Sequence, residues 1–139
     1  MNRFRLLLGK VPTGLLTGIT LAAILWFTLA PHPTGDLDIP LFPGADKVVH
    51  AIMFGVLTLV ALLETMKHRN WVIIPLGAIA AVAFISAGLG IGIEFLQKAM
   101  GLGRQMEILD ILADTAGSFG AAGIWAMIQK TFQDPDNVN

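Results

Sequence analysis

The chain has 139 residues, enough for one domain; 55% of them are hydrophobic and only 14% charged, and the mean hydropathy is +0.71. A soluble domain this small must cover a large surface with polar groups, and about 25% charged is usual for one. This chain falls well short, so its surroundings are read as a lipid bilayer. A net charge of −1 gives no reason to expect a nucleic-acid partner, and the lack of Cys excludes disulfides.

Residues 1–10 carry Arg3, Arg5 and Lys10 and no acid. The uncharged run 11–30, VPTGLLTGITLAAILWFTLA, has about the ~20 residues that a spanning helix needs. Basic residues before an apolar run also describe a signal peptide, but this run is long and Thr28-Leu29-Ala30 is a poor cleavage site, so an uncleaved first helix is expected. Residues 31–46, with four prolines and two glycines, read as an acidic loop carrying Asp36, Asp38 and Asp46. A second helix is expected over 47–64, with Asp46 as its N-cap. A third is expected over 71–97. At 1.5 Å per residue it is roughly 40 Å long, so it must tilt or stand its ends in the interface. Residues 98–107 read as a loop containing Gly101 and Gly103, 108–128 as a fourth helix, and the tail TFQDPDNVN as frayed. Gly88, Gly90 and Gly92 read as packing glycines of the third helix, since no strand–turn–helix setting or following Lys makes them a phosphate loop.

The expected fold is therefore all-α: one domain over 1–139, forming a polytopic bundle of four transmembrane helices. Placing the N-terminus inside puts Arg3, Arg5, Lys10, Lys67, Arg69 and Lys130 on the inner side against Lys47, Lys98 and Arg104 outside, which favours N-in and C-in. Trp26, Trp71 and Trp125 then fall near span ends, as an aromatic belt expects.

With four spans, the start of the second, the end of the third and the start of the fourth share one side of the membrane. Asp46, Lys47, His50, Glu94, Gln97, Arg104, Glu107, Asp110 and Asp114 all fall there. Asp46 and His50 are spaced i, i+4 on one helix face. Ser86, Gly90, Glu94 and Gln97 form one stripe, and Asp110, Asp114, Gly117 and Ala121 another. Small residues mark helix–helix contact faces in membranes, so these carboxylates are expected to point into the bundle. An ionised group facing lipid at the bilayer centre costs at least about 2.5–3.5 kcal/mol. The competing reading is structural: Arg104 locked to Asp110 or Asp114, and Asp46 holding His50. Glu107 and Lys98 read as solvated loop charges, and His32 and His68 as loop histidines.

The motifs D-K-x-x-H at 46–50, E-x-x-Q at 94–97 and R-x5-D-x3-D-x2-G at 104–117 resemble the VanZ-like family. This is a group of small bacterial membrane proteins named for a member linked to teicoplanin resistance. The match covers 46–121 in the family's order and implies a multi-pass protein of the bacterial cytoplasmic membrane. Its positions here are Asp46, Lys47, His50, Glu94, Gln97, Arg104, Asp110, Asp114 and Gly117. The chain departs at Asp114, where the family commonly has Asn, and at 105–107, where small or hydroxyl residues are expected after the Arg.

Two functions follow as expectations. One is a site for an envelope amphiphile such as a lipid headgroup, a cell-wall precursor or a lipoglycopeptide. There Lys47, Arg104 and Gln97 would hold the ligand, and His50, Glu94 and Asp110 would be the acid and base candidates. Asp46, Asp114 and Gly117 would support the network. The other is an accessory or assembly protein whose polar groups fix the bundle. No cofactor is expected. A metal on His50, Glu94, Asp110 and Asp114 ranks lower, because only one His is present, no H-E-x-x-H spacing occurs, and an oxygen-rich set suits Mg or Ca better than Zn. A proton-coupled transporter ranks lower still, since the acids cluster at one end and no inverted repeat is visible.

Overall fold

Apolar runs closed by Gly and Pro fold into helices throughout the computed structural model, which describes residues 3–31, 42–101, 103 and 106–132. Among the described residues there are five α-helices, α1 Arg3–Gly9, α2 Leu15–Leu29, α3 Ala45–His68, α4 Leu76–Met100 and α5 Ile108–Ile128, and a closing 3-10 turn, Gln129–Phe132, but no strands. Three of the helices, α3, α4 and α5 with its closing turn, are long and apolar enough to cross a membrane. The fourth apolar helix, α2, has 15 residues, a rise of about 22 Å against a ~30 Å hydrocarbon core.

The boundaries depart from expectation where backbone chemistry intervenes. The expected helix at 11–30 begins only at Leu15, because Pro12 removes a donor and Gly14, at the N-cap, takes a left-handed conformation with φ 89°. Arg3–Gly9 forms a separate short helix that the sequence reading did not predict. The N-cap of α3 is Gly44, not Asp46, which sits within the first turn. The third segment becomes helical at Leu76, not at 71: Asn70 and Trp71 have positive φ, Pro75 stands at the N-cap, and Gln129 brackets Ile74 by bonding both its N–H (2.9 Å) and its C=O (3.2 Å). That helix then runs on to Met100 and ends at Gly101, whose φ of 62° is a left-handed C-cap. The fourth segment matches the expected 108–128.

The polarity of the bundle is inverted relative to a soluble protein. Leu76, Ile108 and Met127 are among the large apolar side chains facing outward, while His50, Glu94, Asp114 and Ser118 are buried inside. Such an arrangement suits a protein solvated by hydrocarbon. One apolar cluster, Leu62, Met66, Ile74, Ile79, Ala83, Ala122 and Trp125, fills the end where α3 finishes and α4 begins. A second, Ile24, Phe54, Leu57 and Ile93, packs α2 onto α3 and α4. Trp125 therefore departs from the expected aromatic belt: it is buried and stacks on Phe132 at 5.6 Å.

The closest helix approach is that of α5 on α3. A Cβ built on Gly117 would lie 2.0 Å from the Ala51 carbonyl oxygen, so only glycine fits, and Gly55 faces the Gly117 carbonyl in turn. This crossing lies beside His50 on α3 and one turn from Asp114 on α5, and so sets the distance between those two side chains.

Candidate functional site

The starts of α3 and α5 and the end of α4 meet at one end of the bundle, and their polar side chains touch. Nδ1 of His50 lies 2.9 Å from Oδ1 of Asp114. With Asp114 ionised its oxygen can only accept, so Nδ1 carries the hydrogen, and in the neutral imidazole Nε2 then keeps its lone pair. Nε2 turns toward Oδ2 of Asp110 at 3.9 Å, too far for a hydrogen bond. The i, i+4 pairing of Asp46 with His50 does not form: Asp46 is exposed and bonds Lys47 at 2.5 Å.

Glu94 is wholly buried on α4. Its Oε2 accepts the backbone N–H of Glu107 at 3.1 Å, which places a carboxylate at the start of α5, where the helix dipole favours it. Among the described residues its Oε1 has no hydrogen-bond partner, and neither does Oδ2 of Asp114. Gln97, one turn on, donates to the Thr28 carbonyl at 2.7 Å and so ties the end of α2 to α4. Thr28 in turn bonds back to Ile24.

Lys47 is the cation that the carboxylates of this end engage among the described residues. Its ammonium contacts Asp46, Glu107 and, at 2.8 Å, Oδ1 of Asp110. Glu107 is thus a partner of Lys47 and not the plain solvated charge expected of it; its position just before α5 was the available signal. Arg104, with its expected pairing to Asp110 or Asp114, lies outside the described residues. Lys98 is exposed, as is His68; His32 lies outside the described residues.

Both small-residue stripes face inward. Ser86, Gly90, Glu94 and Gln97 are buried, as are Asp110, Asp114 and Ala121, while Gly117 is half-buried against Ala51. Gly90 sits directly against Asp114: a Cβ there would lie 2.6 Å from Oδ2 and 2.8 Å from Cβ of Asp114. Gly90→Ala is therefore expected to push Asp114 aside and loosen its hold on His50. It should lower stability by about 1–3 kcal/mol, the usual cost of overpacking. Thermal denaturation in detergent, together with the ring-nitrogen NMR shifts of His50, checks both parts.

A second polar lock, which the sequence reading missed, lies at the opposite end. Glu64 is buried; its Oε1 accepts the N–H of Leu16 at 3.2 Å, and its Oε2 accepts the N–H of Thr17 at 3.1 Å and the Thr17 hydroxyl at 2.6 Å. Lys67 caps the Val11 carbonyl at 2.5 Å, and Arg5 bonds the Phe132 carbonyl beneath the Trp71 ring. These contacts fasten chain segments together.

A family model described as VanZ/LLP1 matches residues 11–129. No curated protein and no solved structure matches the chain.

Proposed function

The chain belongs to the VanZ/LLP1 family and is a membrane protein, and we propose that its polar end binds the head of an envelope amphiphile. That ligand is a lipid headgroup, a cell-wall precursor or a lipoglycopeptide, and the role is of the antibiotic-resistance kind. We place the protein in the bacterial cytoplasmic membrane with α2 to α5 as four spans, both termini inside, and the polar end on the extracytoplasmic face. The Lys and Arg distribution supports that orientation. A short α2 is compatible with crossing when polar groups at its ends draw the interface inward.

One observation carries the reading. A buried His–Asp pair and a buried Glu converge from three helices on one side of the bundle, where an amphiphile lying in the leaflet presents its head. Intramembrane ionisable groups are costly to keep, so a cluster this dense is functional by default. The acid and base groups are Glu94 and Asp110 with His50; Asp114 and Gly117 position them, and Gln97 and Lys47 border the ligand space.

The runner-up is an accessory protein held in one arrangement by this network. It is favoured by Lys47, whose ammonium is already matched by three carboxylates. Glu94→Gln and Asp110→Asn separate the two. We expect both variants to accumulate in membranes at near wild-type levels and to abolish the change in lipoglycopeptide susceptibility that the wild-type chain produces. Accumulation with the phenotype intact, or failure to accumulate, removes the support for a ligand site.

A further inference from the structure

Resting on the reading above, we propose that His50 Nε2 and the carboxylates of Glu94 and Asp110 form a site for a divalent cation, and that the anionic part of the amphiphile head completes its coordination. These three residues bring one ligand atom each to within 4.8 Å of one another, from α3, α4 and α5. Nitrogen and oxygen ligands sit about 2.0–2.2 Å from such an ion, so three of them around it lie roughly 3.4–3.6 Å from one another. Side-chain rotation that draws the three atoms together by about 1 Å reaches that geometry.

Three further observations point to a ligand. Glu94 is fully buried, and among the described residues Oε1 has no hydrogen-bond partner although Oε2 does. A lone buried carboxylate oxygen is expensive, and a bound cation relieves that cost, as a proton would. Next, Asp114 fixes the ring of His50 through Nδ1, which leaves Nε2 facing Asp110 at a separation that an ion bridges and a hydrogen bond does not. A carboxylate on the far nitrogen is the usual support for a metal-bound histidine. Lastly, the neighbouring group of Asp46, Glu107 and Asp110 has the same acidic character and already holds its cation, the Lys47 ammonium. Asp110 belongs to the inner group as well and shares that ammonium through Oδ1, but among the described residues no cation contacts Glu94 or His50.

The Mg or Ca preference expected from the sequence counted Asp114 as a ligand; with Asp114 on His50 Nδ1 instead, one nitrogen and two carboxylates remain, a set that suits Mn2+ or Zn2+ better than Ca2+ because imidazole favours the transition ions. Three protein ligands leave positions open for water or for an oxyanion. This also answers an electrostatic difficulty. Among the described residues, five carboxylates of this cluster contact one ammonium and one imidazole, with Lys98 exposed outside it, a balance that a divalent ion would shift toward an anionic head.

The test uses the full chain in lipid nanodiscs, stripped with a chelator and titrated with Mn2+ under electron paramagnetic resonance. The expected result is one saturable Mn2+ per chain, displaced by Zn2+, with hyperfine coupling to a single imidazole nitrogen. His50→Gln should remove that coupling and weaken binding at least tenfold. Asp114→Ala, which removes only the support, should weaken it about 10–100-fold. His68→Gln, an exposed histidine at the opposite end of α3, should leave both the binding and the nitrogen coupling unchanged. No saturable Mn2+ or Zn2+ in the wild-type protein overturns the proposal, and so does bound Mn2+ without nitrogen coupling. The wild-type spectrum alone decides if a variant fails to fold. Susceptibility assays on Glu94→Gln and Asp110→Asn report separately on the headgroup reading: wild-type Mn2+ binding beside an unchanged variant phenotype sinks that reading and leaves the ion site standing. No wild-type binding beside a lost phenotype sinks the ion site alone.

Discussion

Gly117→Ala is expected to leave little folded protein in the membrane. The added methyl carbon would sit 2.0 Å from the carbonyl oxygen of Ala51 and under 3 Å from its carbonyl carbon and Cα. These are backbone atoms in the second turn of α3, so no side-chain rotation relieves the overlap. The helices must move apart, and α3 against α5 is the contact on which the bundle is built. Overpacking a well-packed interior costs typically 1–3 kcal/mol, and a rigid backbone neighbour places this case at about 3 kcal/mol or more. The damage is also local to the site. Ala51 follows His50 and Gly117 lies one turn from Asp114, so separating the helices lengthens the 2.9 Å contact between those side chains. Gly120→Ala is the control: nothing lies within 4 Å of its Cβ position, and alanine is the better helix former by up to about 1 kcal/mol. Yield in the membrane fraction and thermal midpoint in detergent should fall for Gly117→Ala and hold or rise for Gly120→Ala. Equal behaviour of the two variants would refute the close-approach argument.

The helical class and the convergence of polar groups were legible because both follow from hydropathy and counting. Long uncharged runs between Gly- and Pro-rich breaks can satisfy their backbone only as helices, and alternating spans force the starts of α3 and α5 onto the side where α4 ends. The carboxyl stripes were legible for the same reason, through the spacing of Glu94 with Gly90 and of Asp114 with Gly117. What the sequence could not convey was pairing across helices. Asp46 and His50 share a spacing but not a partner, because Asp46 lies at the exposed rim beside Lys47 while the His50 ring turns inward to α5. Helix rotation decides that, and rotation is set by where the smallest residues permit close approach. Gly117 holds that information, yet a glycine in an apolar run gives no sign of which neighbour it admits. Trp125 was misplaced for a related reason: a tryptophan near a span end suits the interface and the core alike, and Phe132 packing over it settles the matter.

Glu64→Ala is expected to free the start of α2 while leaving the rest of the bundle folded. In the chain, Glu64 looks like a charge marking the end of an apolar segment. In the fold it is buried and supplies the acceptor that α2 lacks, since Gly14 at the N-cap carries no side chain. Two backbone N–H groups and the Thr17 hydroxyl converge on its oxygens, and its negative charge faces the positive end of the α2 dipole. Hydrogen bonds to a charged group contribute about 1.5–3 kcal/mol each, but the variant also relieves a buried charge, so a net loss of about 2–3 kcal/mol is expected. Hydrogen exchange localises the effect: the amides of Leu16 and Thr17 should lose protection in Glu64→Ala and keep part of it in Glu64→Gln, which retains one oxygen acceptor. Amides in the middle of α3 should be unchanged. The same experiment reads whether the two ends of α2 are coupled. Its far end gives the Thr28 carbonyl to Gln97, so if α2 moves as a rigid rod, freeing its start should also raise exchange around Thr28 and Gln97. If only the first turn responds, the hold of Gln97 and the packing of Ile24 against Phe54 and Leu57 suffice to fix the end of α2 at the polar site, and Glu64 serves its own end alone.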